Sequence, residues 1–258
     1  MRVLLANDDG VNAPGIRSLY RVLGAHHQTT IIAPLEERST TGHSLSLDKP
    51  LRLERLEDNI YGCSGFPADC VLMGLGHVLK DQRPEVVISG INRGANLGQD
   101  LYYSGTIAAA REAAFHHVPA IAVSLVFGKV NEKHHYDTAA TFIRWCLEEE
   151  LHRLCPPLTL LNVNVPDLPL NEIRGVRVSE VGFRRYSEEI HARLDMRGRE
   201  YFWIAGHYEG FLHNSGSDCH VLSEGMIAVT PHSLIGKKDP EIKGLELVIE
   251  RLNAKFNS

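Results

Sequence analysis

Residues 2–6 (RVLLA) and 30–33 (TIIA) are short apolar runs, and between them one stretch puts Ile16, Leu19, Tyr20 and Leu23 on a single helical face. Pro14 suits the first turn of that helix, and Pro34 ends the second run. Strand, helix and strand within about thirty residues make one βαβ unit, which requires a parallel sheet. The rhythm repeats. Helical patterns at 68–80, 105–115 and 136–151 alternate with apolar runs at 85–89, 120–124 and 158–164, the last of which reads as the final buried strand. The runs are continuously apolar rather than alternating, as expected of strands covered on both faces. The fold expected is α/β, a Rossmann-like doubly wound, mostly parallel sheet.

Two stretches break the pattern. Residues 44–62 read as short strands without a helix between them, a hairpin beside the sheet. From 167 onward come short β-like pieces, at 175–178, 201–204 and 225–229, and then an amphipathic pattern with Ile242, Leu245, Leu247, Val248 and Leu252. No low-complexity linker separates them. The organisation expected is a single unit over 1–258, with an α/β core at 1–166, a β-rich extension at 167–238 and a C-terminal helix at 239–254.

Charge narrows the classes of function. Lys and Arg number 27 against 32 Asp and Glu, a net of −5, which excludes a generally basic surface for duplex nucleic acid but not a local anion site. The cysteines at 63, 70, 146, 155 and 219 show no CxxC pair or zinc-finger spacing, so free thiols in a reducing compartment are expected. Only four apolar residues precede Asp8 within the first strand, too few for a signal peptide, and the apolar stretch at 118–127 is about half a membrane span. A cytoplasmic protein without a membrane partner is the expectation.

In an open parallel sheet, ligands bind beyond the carboxyl ends of the strands. Three loops fall there. The first, after 2–6, carries the adjacent carboxylates Asp8 and Asp9, unfavourable side by side unless a cation neutralises them. Oxygen donors without His or Cys nearby favour a hard cation, Mg²⁺, Mn²⁺ or Ca²⁺. The second loop, Arg38-Ser-Thr-Thr-Gly-His-Ser44, has four hydroxyls and a glycine, a composition equally common in plain loops; Arg38 reads as a surface charge. The third, 89–106 (SGINRGANLGQDLYYSGT), is the most specific. Its glycines allow close backbone approach, Asn92 and Asn96 offer neutral oxygens, and it runs directly into a helix at Ser104-Gly105-Thr106, whose free N–H groups suit an anion. The alternative, to which the phosphate reading is preferred, is that Ser104 or Thr106 is only a helix cap. A divalent cation beside a phosphate points to phosphate monoester hydrolysis.

Other motifs are missing: no GxxxxGK[ST], HExxH or GxSxG, and Gly74-Leu-Gly76 lacks the third glycine of a dinucleotide fingerprint. The histidine pairs 26–27, 116–117 and 134–135 read as surface imidazoles at element ends, and Trp145 and Trp203 as core or interface residues.

These motifs resemble the SurE (survival protein E) family of metal-dependent nucleotidases. The resemblance rests on NDDGVNAPG at 7–15, Ala33-Pro34 with Arg38-Ser39, PADC at 67–70, VISGINRGANLG at 87–98, YSGT at 103–106, HYD at 135–137, LNVNVP at 161–166 and Ser217-Asp218. It implies one divalent metal, Mg²⁺ or Mn²⁺ foremost, held by Asp8, Asp9, Ser39 and Asn92, with the substrate phosphate at Asn96, Ser104, Gly105 and Thr106. It implies hydrolysis of nucleoside 5′- and 3′-monophosphates, polyphosphate trimming in some members, and homodimers or homotetramers in which the C-terminal segment reaches a partner. His43 stands where several members have Asn, which leaves open whether it contacts phosphate or donates a proton. The wall meeting the base is expected to include residues of the extension.

Asp8 and Asp9 are the candidate catalytic residues through the metal; neither is assigned as base, because a carboxylate ligating a metal is a poor one. The rival readings are a non-catalytic metal and nucleotide sensor with the same pocket, and two enzymes of similar scaffold. A zinc de-N-acetylase would have a His before the aspartates, where this chain has Asn7, and a haloacid-dehalogenase-type phosphatase would space its aspartates as Asp-x-Asp.

Overall fold

The computed structural model describes residues 1–127, 134–235 and 244–256. Its first half follows the βα alternation. β1 (Arg2–Ala6) leads to α1 (Pro14–Gly24) and β2 (Gln28–Pro34); a hairpin of β3 (Leu53–Glu57) and β4 (Ile60–Cys63) precedes α2 (Pro67–Met73). Then come β5 (Val86–Arg93), α3 (Gly105–Phe115), β6 (Ala120–Val126), α4 (Tyr136–Glu148) and β7 (Thr159–Pro166). The remainder is β8 (Val176–Val178), β9 (Arg184–Tyr186), β10 (Ile190–Leu194), β11 (Glu200–Ile204), β12 (Tyr208–Phe211), α5 (Asp218–Ser223), β13 (Ile227–Ser233) and α6 (Leu245–Ala254).

One sheet organises the chain, in the order β3-β4-β2-β1-β5-β6-β7-β13-β8. From β4 to β7 every neighbouring pair is parallel, so a mostly parallel, Rossmann-like sheet is what forms. Its core has two halves. Ile16, Leu19 and Leu23 of α1, Phe142 and Ile143 of α4, and Val248 and Leu252 of α6 bury one face. Cys70 and Val71 of α2 with Ile107, Ala109 and Ala110 of α3 bury the other. The alanines let α3 sit close enough to the sheet that nearly its whole circumference is buried.

Several boundaries differ from those read in the sequence. The hairpin is shorter than 44–62 and is part of the sheet, β4 pairing in parallel with β2 and β3 forming the edge. The pattern at 68–80 is helical only to Met73 and then widens into a π turn at Gly74–Val78, where glycines weaken the α geometry. The strand read at 85–89 runs on to Arg93, because Asn92 and Arg93 still pair with β6 after an irregularity. Nor is 158–164 the last buried strand: β13 lies antiparallel beside β7, and β8 pairs with β13. Single-sequence periodicity could not show this, since β13 returns from the far side of the extension. The helix read at 239–254 is observed from Leu245; residues 239–243, with Ile242, lie outside the described residues.

α6 covers the last edge of the sheet on its own chain. Asn253 Oδ1 accepts from Val176 N at 2.8 Å and its Nδ2 donates to Val176 O at 3.1 Å, so the exposed backbone of β8 is paired by a side chain. β10 and β11 form a separate two-stranded hairpin. Ile190, Leu194, Phe202, Trp203 and Ile204 are all exposed on it. The five cysteines are free thiols.

Candidate active site

In the strand order, β2 lies on one side of β1 and β5 on the other, so the connections after β1 and β5 diverge and leave a crevice between them. Both aspartates stand there. Asp8 is only 4% exposed. Its Oδ1 accepts from Thr106 Oγ1 at 2.5 Å, which ties the loop after β1 to the start of α3. Gly105 allows that approach: a Cβ on it would come within 2.8 Å of Asp8 Cβ and 3.1 Å of Pro67. Asp9 is half-buried, and its Oδ2 accepts from the backbone N–H of Arg93 at 3.0 Å. The loop after β2 is pinned to the same place, Arg38 N donating to Asp8 O at 2.7 Å.

The crevice holds two carboxylates that are costly to charge. Burial lifts the Asp8 carboxyl to about 6, against the Thr106 hydrogen bond, and the charge of Asp9 adds to the rise. Asp9 is raised as well, again chiefly by burial. Among the described residues neither carboxylate forms an ion pair with a basic side chain. No three His, Cys, Asp or Glu side chains converge among the described residues, so a cation there must take neutral oxygens or water besides the aspartates. Asn92 can supply one, since its hydrogen bond to Gly94 O uses only Nδ2. Asn7 Oδ1, next to Asp8, is buried and has no hydrogen-bond partner. An all-oxygen, negatively charged set with an orphaned amide oxygen beside it fits a hard divalent cation.

Against Asp8 stands the start of α3. Ser104 caps α3, its Oγ accepting from Ile107 N at 3.1 Å. The first N–H groups of the helix, at Gly105 and Thr106, remain at its open end. Ser104 is therefore a cap, and Thr106, two residues on, meets Asp8 in the crevice.

The other sequence candidates lie differently. Asn96 is buried and held at three of its polar groups: its Nδ2 donates to Ser124 Oγ at 2.8 Å, its N–H to Asn164 Oδ1, and its C=O accepts from Asn162 and Asn164. Ser39 is exposed, with its hydroxyl on Glu37 Oε1 at 2.6 Å. His43 Nε2 sits 2.7 Å from Glu112 Oε2 on α3, its ring stacked on Phe115. Glu112 also meets His116, and these imidazoles hold its carboxyl below the usual range although burial pushes the other way. Arg38, read as a surface charge, has a buried Nε with no partner among the described residues and lies 5.7 Å from the Phe66 ring.

Sequence reasoning gave no role to Asn162, Asn164 and Asp218. The two asparagines in an otherwise apolar strand were the available signal. Asp218 Oδ2 accepts from Gly98 N and Oδ1 from Gly182 N, each at 2.9 Å, which fastens the loop after β5 to the extension. His134 and His135 are not free surface imidazoles either: both bond the buried carboxylate of Asp167.

The comparison with known families follows the same residues. The survival protein SurE family matches residues 3–188. The chain belongs to the SurE family. A 5′-nucleotidase SurE from Geobacter sulfurreducens is 44% identical over 231 residues, 90% of this chain and 87% of the relative. Another, from an Anaeromyxobacter species, is 45% identical over 249 residues, 95% of this chain and 94% of the relative. The crystal structure of the SurE protein from Aquifex aeolicus has a TM-score of 0.81 and 34% identity, covering 92% of this chain and 95% of that one. The SurE match spans every loop of the crevice and stops just beyond β9.

Proposed function

We infer that this chain is a divalent-metal-dependent 5′-nucleotidase, a phosphomonoesterase that converts nucleoside 5′-monophosphates to nucleoside and phosphate. The observation that carries the reading is the Asp8–Thr106 hydrogen bond, which sets an acidic pair against the open start of α3. The relatives named 5′-nucleotidase SurE support the substrate class.

Asp8 and Asp9 would hold the metal, with Asn92 as a neutral donor and Ser39 after rotation away from Glu37. Mg²⁺ or Mn²⁺ suits an all-oxygen set. When bound, the metal supplies Lewis acidity, drawing charge from a phosphoryl oxygen and lowering the pKa of water. The chain itself orients the phosphate. N–H groups of Gly105 and Thr106 bind its oxygens along the helix dipole, and Asn96, locked by four hydrogen bonds, keeps the loop from yielding as charge develops. Ser104 holds the first turn rigid.

The same reading places the enzyme in the cytoplasm, where its free thiols stay reduced. No described helix is long and apolar enough to cross a membrane. Homo-oligomers, a dimer or a tetramer, would pair through the β10–β11 hairpin. Two strands alone are marginally stable, and one of them exposes Phe202, Trp203 and Ile204.

The test is phosphate release from 5′- and 3′-nucleoside monophosphates and short polyphosphate after EDTA treatment, with Mg²⁺, Mn²⁺, Ca²⁺ or Zn²⁺ added back singly. Metal-dependent release from 5′-nucleotides is expected. Tight nucleotide binding without release under any metal would favour the sensor instead.

A further inference from the structure

Cys63 ends β4 and Cys70 lies one turn into α2, with only Ser64, Gly65 and Phe66 between the strand and the helix. This short turn folds back over the helix start. Phe66 N donates to Asp69 Oδ2 at 2.8 Å, and a Cβ on Gly65 would come within 2.5 Å of the same oxygen, so the turn has no room for a side chain there. The fold-back brings two thiols together in one half of the core. The Cys70 S–H donates to the Cys63 sulfur, which also accepts from Gly65 N at 3.4 Å.

The two sulfurs are thereby made unlike. The hydrogen bond from Cys70 holds the Cys63 thiol below its usual range and favours the thiolate, the nucleophilic form. Burial, and after it the bond to Cys63, pushes Cys70 well above that range and keeps its proton in place. Burial pushes the thiols of Cys146, Cys155 and Cys219 upward too, which sets Cys63 apart from the other four. Burial also selects the oxidant. Both side chains are 0% exposed, so it must be close to water in size, as hydrogen peroxide is.

The pair stands behind the crevice wall. Pro67 lies 3.1 Å from where a Cβ on Gly105 would stand, next to Asp8. Arg38, whose N–H holds Asp8 O, has its guanidinium 5.7 Å from the centroid of the Phe66 ring. Phe66 and Pro67 both fall within the segment that a bond between residues 63 and 70 would close.

We propose that Cys63 and Cys70 are an oxidation-sensitive dithiol, which a hydroperoxide joins in a disulfide that tightens the turn, shifts Phe66 and Pro67 and reversibly lowers turnover. The Cys63 thiolate attacks one peroxide oxygen, the O–O bond breaks, and hydroxide leaves a sulfenic acid behind. The Cys70 sulfur then displaces the sulfenic hydroxyl, which departs as water with the Cys70 proton. Two thiols and one hydrogen peroxide thus give one disulfide and two waters. The effect on turnover rests on the 5′-nucleotidase reading; the oxidation does not.

The test treats the EDTA-stripped full chain with hydrogen peroxide, removes the excess with catalase, and divides the sample. One part is blocked with iodoacetamide and digested with trypsin, which releases both cysteines in the single peptide 56–80. That peptide should be unalkylated and two hydrogens lighter than its reduced form. The other part receives Mn²⁺ and a nucleoside 5′-monophosphate. Turnover should fall about tenfold or more, the order expected when a positioning wall moves slightly, and dithiothreitol should restore it. Cys63→Ser and Cys70→Ser should each keep their own untreated turnover after peroxide. Full alkylation of the peptide after peroxide, a disulfide without loss of turnover, or the parental loss in both variants would overturn the proposal. Absence of phosphate release by the reduced parent would sink the 5′-nucleotidase reading instead, and the mass of the peptide then decides the dithiol.

Discussion

Asn164 closes a two-bond clamp on Asn96: its Oδ1 accepts from the Asn96 N–H at 2.9 Å, and its Nδ2 donates to the Asn96 C=O at 3.0 Å. Strand β7 thereby fixes the backbone of a loop that belongs to β5, across β6. Asn162 adds a second donor to the same carbonyl at 2.7 Å. Both asparagines are buried, so their amides have no water to fall back on.

Asn164→Ala therefore leaves a buried N–H unpaired and a carbonyl half-served. A loss of about 1–3 kcal/mol is expected in urea unfolding. Activity should fall further than stability, because the freed loop carries Asn92 and leads to the helix start. Asn164→Asp should be worse than Asn164→Ala, since a carboxylate oxygen would face the Asn96 carbonyl. Retention of parental kcat in either variant would contradict the clamp.

The Asp8 carboxyl gives a pH prediction for the metal-free protein. Burial lifts it from 3.8 to about 6, so between those values the folded state holds more protons than the unfolded one. Stability must then fall as pH rises through this window, and the loss is complete above it. Two units correspond to about 3 kcal/mol at pH 7. Asp8→Asn should accordingly be more stable than the parent at pH 7 after EDTA treatment, with the gap closing near pH 4. Thermal unfolding at both pH values checks this; a variant less stable than the parent at pH 7 would contradict it.

Asp167 should behave in the opposite way. Burial works against its charge, but hydrogen bonds from His134 and from the His135 backbone and ring overcome it and hold the carboxyl low. The stability this contributes is present above the unfolded carboxylate pKa and is lost as pH falls through the folded value. Asp167→Asn should therefore lower the melting temperature near neutral pH, and the difference should shrink in strong acid. A difference independent of pH would point to packing instead.

The β10–β11 hairpin predicts assembly. Trp203 and Phe202 are both about 61% exposed on a strand that pairs, among the described residues, with β10 alone. Trp203→Arg should shift the protein to a smaller species in sedimentation velocity, with little effect on the fold of the main sheet. An unchanged mass would place the interface elsewhere.

Much of the crevice was legible in the sequence, because its chemistry is local. Asp8 and Asp9 stand where an apolar run ends, and Ser104-Gly105-Thr106 where a helix begins, so the rule for open parallel sheets suffices to bring them together. What escaped depends on contacts far apart in the chain. The pairing of Asn164 with Asn96 spans 68 residues and that of Asp218 with Gly98 spans 120. No local pattern encodes either. The β-like piece at 225–229 gave no sign of its place in the main sheet for a similar reason: the partner of β13, β7, lies some sixty residues earlier, beyond the extension. His43 adds a contact of the same kind: its ring meets Glu112, a buried residue of α3, 69 residues on.

The central claim is that Asp8 and Asp9 together hold one divalent cation. The most direct measurement is a calorimetric titration of EDTA-treated protein with Mn²⁺, run on the parent and on Asp9→Asn after confirming that both are folded by circular dichroism. One site per chain in the parent, weakened at least about tenfold in the variant together with loss of nucleotide turnover, is the predicted result. Parental Mn²⁺ affinity and parental turnover in Asp9→Asn would contradict it.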